Sequence, residues 1–316
     1  MVLFSENFNP VDTDEALASL QQQFPQYDPA YVCQAAGAPR HKVKEWMEEL
    51  WKQYEPFSDS HFLDDFKRQF SQRSWELYLG VTLLNRSFKL GKHSNSGPDF
   101  DVQDVAGKRL TWIEAIAVDK GDGIDKVPEM EHGFAADVPE EKMLLRITNA
   151  LDKKLKQFQD HLTKGIINEN EPYVIALNRS GLNHVDPGLP LILKALFGIG
   201  YQSLRIMVGG VRQENPQSSW TGRPNIPKQN GKDISMLFFE NPKNNGVSAV
   251  IYSIDSIINS PHLPDQMGEN FTVIHNPLAK NPLPDGFFPF GDEHKAEEGY
   301  INRIRKAKNW EKLNLF

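Results

Sequence analysis

The chain has 316 residues, of which 39% are hydrophobic and 24% charged, and its formal net charge is −7 at pH 7. This composition is typical of globular proteins, and the negative charge excludes a general attraction to nucleic acids or anionic membranes, so such binding needs a local basic patch. The single cysteine, Cys33, excludes an internal disulfide framework and a multi-cysteine zinc site. No signal peptide and no membrane-spanning apolar run are recognisable, so we expect a cytoplasmic protein.

Short helices are predicted in the N-terminal region, residues 1–55, which precedes a larger domain of residues 56–316. Asp28-Pro29 has the cap and first residue of a helix, and a further helix begins near His41. The helices resemble small ubiquitin-binding bundles of the CUE or UBA type in Phe24-Pro25 and in Leu50. The alternative, which we prefer, is a generic helical cap on the larger domain.

A hairpin with two acids is the main feature of the larger domain. An apolar helix is predicted over residues 71–88, with Glu76 inside its apolar pattern, and strand-like segments follow at residues 99–105 and 109–118. A two-residue turn at Ala106-Gly107 would place Asp99 directly opposite Glu114. Glu114 is an acid on an otherwise apolar face, and a buried carboxylate needs a partner, a proton or a metal. Two neighbouring carboxylates repel each other unless a cation lies between them, and Mg²⁺ prefers carboxylate oxygens.

A long helix and several weaker elements follow the hairpin. Residues 119–139 are rich in Gly, Asp and Pro and are predicted to form a loop beside the acids. The helix begins near Glu140, and its apolar stripe includes Lys154, whereas Arg146 and Lys153 line one edge of the stripe. Further predictions are strands at 172–178, 235–239 and 247–253, helices at 189–197 and 293–309, and a loop at 209–232.

Pro98-Asp99 and Glu114-Ala115-Ile116 lie in a helix–hairpin–helix–strand order and resemble the half-motifs of the PD-(D/E)XK nuclease superfamily. The resemblance covers roughly residues 70–180. It implies an α/β fold with a restriction-endonuclease-like core, that is, a central mixed β-sheet flanked by helices, preceded here by the N-terminal helical region. Ile116 departs from the family pattern because it stands where the family usually has a lysine.

The metal site is implied by the same resemblance. A nuclease of this family would use Mg²⁺, with Mn²⁺ as an alternative, to hydrolyse phosphodiester bonds as an endonuclease. Asp99, Glu114 and the main-chain carbonyl of Ala115 would bind the metal, and Glu76 would contribute through a water.

A lysine and a basic patch complete the implied site. Some branches of the family supply the lysine from the following helix, and Lys154 is the candidate here, with its ammonium expected within hydrogen-bond reach of Glu114. Arg146 and Lys153 would bind the substrate phosphates, with DNA favoured over RNA, and a homodimer is compatible with this function. The alternative is that Ile116 marks a catalytically inactive fold that binds nucleic acid or protein, with the N-terminal helices recruiting a partner.

Overall fold

A computed structural model describes residues 1–6, 8–92, 96–130, 133, 137–204 and 218–310 of the chain. The helices in these ranges are α1 (Asp14–Gln23), α2 (Pro29–Ala36), α3 (His41–Tyr54), α4 (Phe62–Arg68), α5 (Phe70–Asn85), α6 (Glu140–Thr163) and α7 (Leu191–Phe197). The strands are β1 (Lys89–Leu90), β2 (Phe100–Gln103), β3 (Arg109–Ala117), β4 (Tyr173–Asn178), β5 (Ile199–Leu204), β6 (Ser218–Gly222), β7 (Asn225–Pro227), β8 (Asp233–Ser235), β9 (Ala249–Ser253), β10 (Phe271–His275), β11 (Asp292–Glu297) and β12 (Tyr300–Arg305).

A mixed sheet of eight strands forms the centre of the fold, in the order β1-β2-β3-β4-β9-β10-β11-β12. Strands β3, β4 and β9 run parallel to one another, whereas β1, β2 and β3 form an antiparallel meander at one edge. Helix α5 packs on one face of β3 and α6 on the other face. The chain is therefore an α/β protein with a central mixed sheet flanked by helices, as the sequence predicts.

The apolar core lies in two layers, one on each face of the sheet. On the α5 side, the N-terminal helices contribute Tyr31, Met47 and Tyr54 to the same cluster as Phe100 and Val174 of the sheet. The core is thus continuous across residue 55. Leu50, which carries part of the resemblance to ubiquitin-binding bundles, is buried in this layer, so a ubiquitin contact would have to use Phe24-Pro25.

The local signals for the N-terminal helices are confirmed. Pro29 is the first residue of α2, and Asp28 caps it by accepting a hydrogen bond from the main-chain N–H of Ala30 at 2.8 Å. The second oxygen of Asp28 accepts from the N–H of Phe70 at 3.0 Å, so one carboxylate binds the N-termini of both α2 and α5.

None of the helices in the described ranges has the length and apolar composition of a membrane span.

Three predictions in the C-terminal third are wrong. The expected helix at 293–309 is the β11–β12 hairpin, whose turn has Glu298 and Gly299 at φ 51° and 81°. Two consecutive positive φ angles are the geometry of a type I′ hairpin turn, a signal concealed by the charged residues around it. Of the strand expected at 235–239, only Ser235 lies in a strand, as the last residue of β8. The expected loop at 209–232 contains β6 and β7 in its described part, and residues 209–217 lie outside the described residues.

Gly80 allows α5 to approach both the N-terminal helices and the sheet. A β-carbon added at this position would lie 2.5 Å from Tyr54 Cε2 and 3.1 Å from a ring atom of Phe100. Alanine gains some helix propensity, but two buried rings would have to move, so we expect Gly80→Ala to lower the free energy of unfolding by about 1–2 kcal/mol. Urea denaturation measures this change. Gly222→Ala is the matched control, since its β-carbon would meet no atom within 4 Å, and equal stability of the two variants would contradict the prediction.

Candidate functional site

The hairpin of β2 and β3 brings the two acids together. Phe100 pairs with Ile113, so Asp99, the next residue outward, lies opposite Glu114, as predicted. The predicted two-residue turn is wrong, because Asp104 N–H donates to Lys108 O at 2.9 Å and encloses a three-residue loop. The loop is one residue longer than predicted, but a β-bulge between Val102 and Gln103 offsets the extra residue, so the pairing register at the acids is as predicted.

Glu114 is a buried acid with one paired and one unpaired oxygen. The residue is only 4% exposed, and its Oε1 accepts a hydrogen bond from Lys154 Nζ at 2.7 Å. The other oxygen, Oε2, makes no hydrogen bond among the described residues, although the Tyr173 hydroxyl, which also makes none, lies close enough to lower the pKa of Glu114. Burial, followed by repulsion from Asp99, raises the pKa of Glu114 to about 7 against the opposing effect of Lys154. An unpaired oxygen on a buried carboxylate indicates a water or a cation that completes the site.

Asp99 is partly buried and lies at the opening of the site. Its Oδ2 accepts a hydrogen bond from the main-chain N–H of Ala115 at 2.6 Å. Asp99 and Glu114 both line a cleft of about 660 Å³. Among the described residues, its wall has three basic side chains, Arg68, Arg73 and Lys164, and three further acids, Asp59, Asp64 and Asp65. Arg73 forms ion pairs with Asp59 and Asp65. The cleft therefore has room for a phosphate group beside the acid pair.

Glu76 lies behind the acid pair, within the protein. It is 1% exposed, and its carboxylate accepts hydrogen bonds from Tyr54 Oη at 3.0 Å and from Arg73 Nη1 at 2.9 Å. Burial, followed by repulsion from Asp99, raises the pKa of Glu76 to about 8. Protein groups already bind both of its oxygens, and its predicted contact with a metal through water stays a prediction.

Lys154 lies where the sequence places it, with its ammonium on Glu114 and the residue 7% exposed. Ile116, which occupies the lysine position of the family pattern, packs in the apolar layer against α6. The predicted contact between Lys154 and Glu114 is thus confirmed. A lysine therefore lies at the acid pair although Ile116 occupies the family's usual lysine position.

Arg146 and Lys153 lie in a second, neighbouring cavity of about 750 Å³, which also includes Ile116. The Arg146 guanidinium binds Asp119, through a 3.0 Å hydrogen bond from Nε to the main-chain oxygen and through an ion pair with the side chain. Arg68 lines both cavities and joins them. The predicted basic patch therefore lies beside the cleft of the acids and not within it.

Gln72 was not foreseen from the sequence. Its Nε2 donates to Ala115 O at 3.2 Å, and its Oε1 accepts from Ala117 N–H at 2.7 Å. The main-chain oxygen predicted to bind a metal is therefore already hydrogen-bonded to a side chain. A signal was present, since Gln72 precedes Glu76 by four residues and so shares one face of the helix with it.

Two carboxylates are enough protein ligands for a hydrated Mg²⁺ ion. No group of three or more His, Cys, Asp or Glu side chains with the spacing of a metal site is found among the described residues. Mg²⁺, however, commonly binds through one or two carboxylates and completes its shell with waters and substrate phosphates. Asp99 and Glu114, with the unpaired Oε2 of Glu114, offer such a pair.

The site combines an acid pair, a lysine held by one of the acids, and an adjoining cavity of mixed charge that contains Arg146 and Lys153. These are groups that bind a divalent cation and a phosphodiester. The chain matches no protein-family model, no curated protein and no solved structure, so these contacts are the grounds for inferring its chemistry.

Proposed function

We propose that the chain is a Mg²⁺-dependent nuclease of the PD-(D/E)XK type with a restriction-endonuclease-like core, and that DNA is its substrate. The contact between Lys154 and Glu114 carries the proposal, because it supplies the cation that Ile116 would otherwise leave missing. The element order also supports it, since α5, the β2–β3 hairpin, α6 and β4 follow the helix–hairpin–helix–strand order of that family.

Each side chain of the site would have a separate role in the reaction. Asp99 and Glu114 would hold Mg²⁺, or Mn²⁺, which supplies charge stabilisation at the phosphate and a water of lowered pKa. Lys154, held on Glu114 at 2.7 Å, would orient the attacking water with its remaining N–H groups. Arg68, which lines both cavities, would bind the phosphate beside the scissile one.

Arg146 and Lys153 would bind the continuing strand in the neighbouring cavity. They provide local positive charge in a chain of net charge −7. Because these contacts are to phosphates, we expect the affinity for DNA to fall as the salt concentration rises. A phosphate would also compete with Asp119 for the Arg146 guanidinium.

Supercoiled plasmid tests the proposal directly. The purified chain is expected to convert it to nicked or linear DNA with Mg²⁺ or Mn²⁺ present, and to lose all cleavage in EDTA, because two carboxylates alone cannot stabilise the phosphate charge. An RNA substrate of matched length tests the preference for DNA. Binding of DNA without cleavage under every metal condition would contradict the proposal and support the inactive binding fold.

A further inference from the structure

The edge of β3 that faces β2 continues beyond the last paired residue of β2. Pairing ends at Phe100, yet β3 runs on to Ala117. Two side chains complete this edge in place of a strand. Asp99 accepts the Ala115 N–H at 2.6 Å, while Gln72 donates to the Ala115 oxygen at 3.2 Å and accepts from Ala117 N–H at 2.7 Å.

The primary amide of Gln72 thus imitates the peptide group of a missing neighbouring strand. It offers a donor and an acceptor on two separate atoms to the same stretch of main chain, as a peptide group does, which neither a carboxylate nor an apolar side chain can do. The bonds fix the two peptide groups on either side of Ile116. The preceding peptide group, between Glu114 and Ala115, carries the N–H that binds Asp99, so Gln72 holds the main chain directly after the acid pair.

We propose that Gln72 is a positioning residue, which sets the separation and orientation of Asp99 and Glu114 for a divalent cation. The inference rests on the proposed function, because it assumes that this acid pair binds the metal. Gln72 acts from outside the acids' cleft, since it lines the neighbouring cavity. It belongs to α5, a helix packed into the core on the side of β3 opposite α6, so its main chain is held rigidly.

Gln72→Met tests this role, because it keeps the length of the side chain and removes both polar atoms. We expect the Mg²⁺ concentration that gives half-maximal effect to rise roughly 10- to 100-fold, the usual result of losing a group that orients metal ligands. Two readouts measure it: the rise in melting temperature with Mg²⁺ alone, and the Mg²⁺ dependence of plasmid cleavage.

Gln72→Glu is a second variant that separates the two hydrogen bonds. It keeps an acceptor for Ala117 N–H but places a carboxylate oxygen against the carbonyl of Ala115, so its Mg²⁺ requirement is also expected to rise. Gln69→Met is the matched control: Gln69 lines the same cavity and is exposed, and its side chain makes no capping hydrogen bond to α5. Its Mg²⁺ requirement should equal that of the unchanged chain.

The outcomes separate this inference from the function on which it rests. An unchanged chain with no Mg²⁺ response in either melting or cleavage overturns both. If the unchanged chain responds, and Gln72→Met melts earlier in EDTA but needs no more Mg²⁺, then Gln72 is merely structural and the inference alone is overturned. A raised Mg²⁺ requirement in both Gln72 variants, with Gln69→Met unaffected, supports it.

Discussion

Glu114→Gln is expected to lower Mg²⁺-dependent plasmid cleavage by roughly 10²- to 10³-fold, the usual loss when one preorganised electrostatic group is removed. The amide keeps the size of the side chain and a hydrogen-bond acceptor for Lys154, but it removes the negative charge opposite Asp99. The rate of conversion of supercoiled plasmid at saturating Mg²⁺ measures the effect. The rise in melting temperature produced by Mg²⁺ should disappear in the same variant.

Asp99→Asn provides a second test at the other acid, which is only partly buried and is not paired with the lysine. It is expected to lose cleavage to a similar extent. Asp104→Asn is the matched control, because Asp104 lies in the same hairpin and caps its turn by accepting the N–H groups of Ala106 and Lys108. Cleavage at the unchanged rate by both Glu114→Gln and Asp99→Asn would refute the acid pair as the active site.

Lys154→Met is expected to lower the free energy of unfolding by about 3–5 kcal/mol at pH 8, the typical result of removing one partner from a buried ion pair. Without the lysine, Glu114 either keeps its charge beside Asp99 or takes up a proton, and both cost free energy at pH 8. Adding Glu114→Gln removes that charge, so the double variant should recover most of the lost stability. Urea denaturation of the two single variants and the double variant yields the coupling free energy.

The loss caused by Lys154→Met should depend on pH. Burial and Asp99 already raise the pKa of Glu114 to about 7 although Lys154 lowers it, so without the lysine this pKa rises further. A carboxyl with a raised pKa in the folded state contributes its stability below the unfolded value of about 4.5 and loses it as the pH rises through the folded value. The variant should therefore differ least from the unchanged chain near pH 5 and most at pH 8.

Lys153→Met is the control for Lys154→Met, because Lys153 is the exposed neighbour on the same helix and should change stability by no more than about 0.5 kcal/mol. All variants that lack Lys154 are expected to be inactive, including the stable double variant. A cleavage rate in Lys154→Met equal to that of the unchanged chain, measured at a pH where the variant stays folded, would show that the lysine has no catalytic part. A loss of stability that is the same at pH 5 and pH 8 would contradict the electrostatic explanation.

The positions of the acid pair and of Lys154 were predictable because each follows from the residue period of a strand or a helix. Alternation along β3 puts Glu114 on the face that α6 covers, and the helical period puts Lys154 in the stripe of α6 that faces the sheet. The register needs only a turn position, and the bulge after residue 102 compensated for the error in that position. The α/β class followed from the same alternation of helical and strand patterns.

The supporting contacts were not predictable in the same way. The two hydrogen bonds of Gln72 depend on how many residues of β3 extend beyond the end of β2. The pairing of Arg146 with Asp119 depends on the path of an irregular loop. Neither is encoded in a period of the sequence. The β11–β12 hairpin was missed because its strands carry charged residues, and the Glu298-Gly299 turn was the better guide.

The hydroxyl of Tyr54 connects the first part of the chain to the acids. It belongs to α3, yet it donates to Glu76 directly behind the acid pair. The N-terminal helices are therefore not an independent module, because the larger domain depends on their contacts. A chain without them would expose the outer side of α5 and deprive a buried carboxylate of a partner, so we expect α3 and α5 to be retained together.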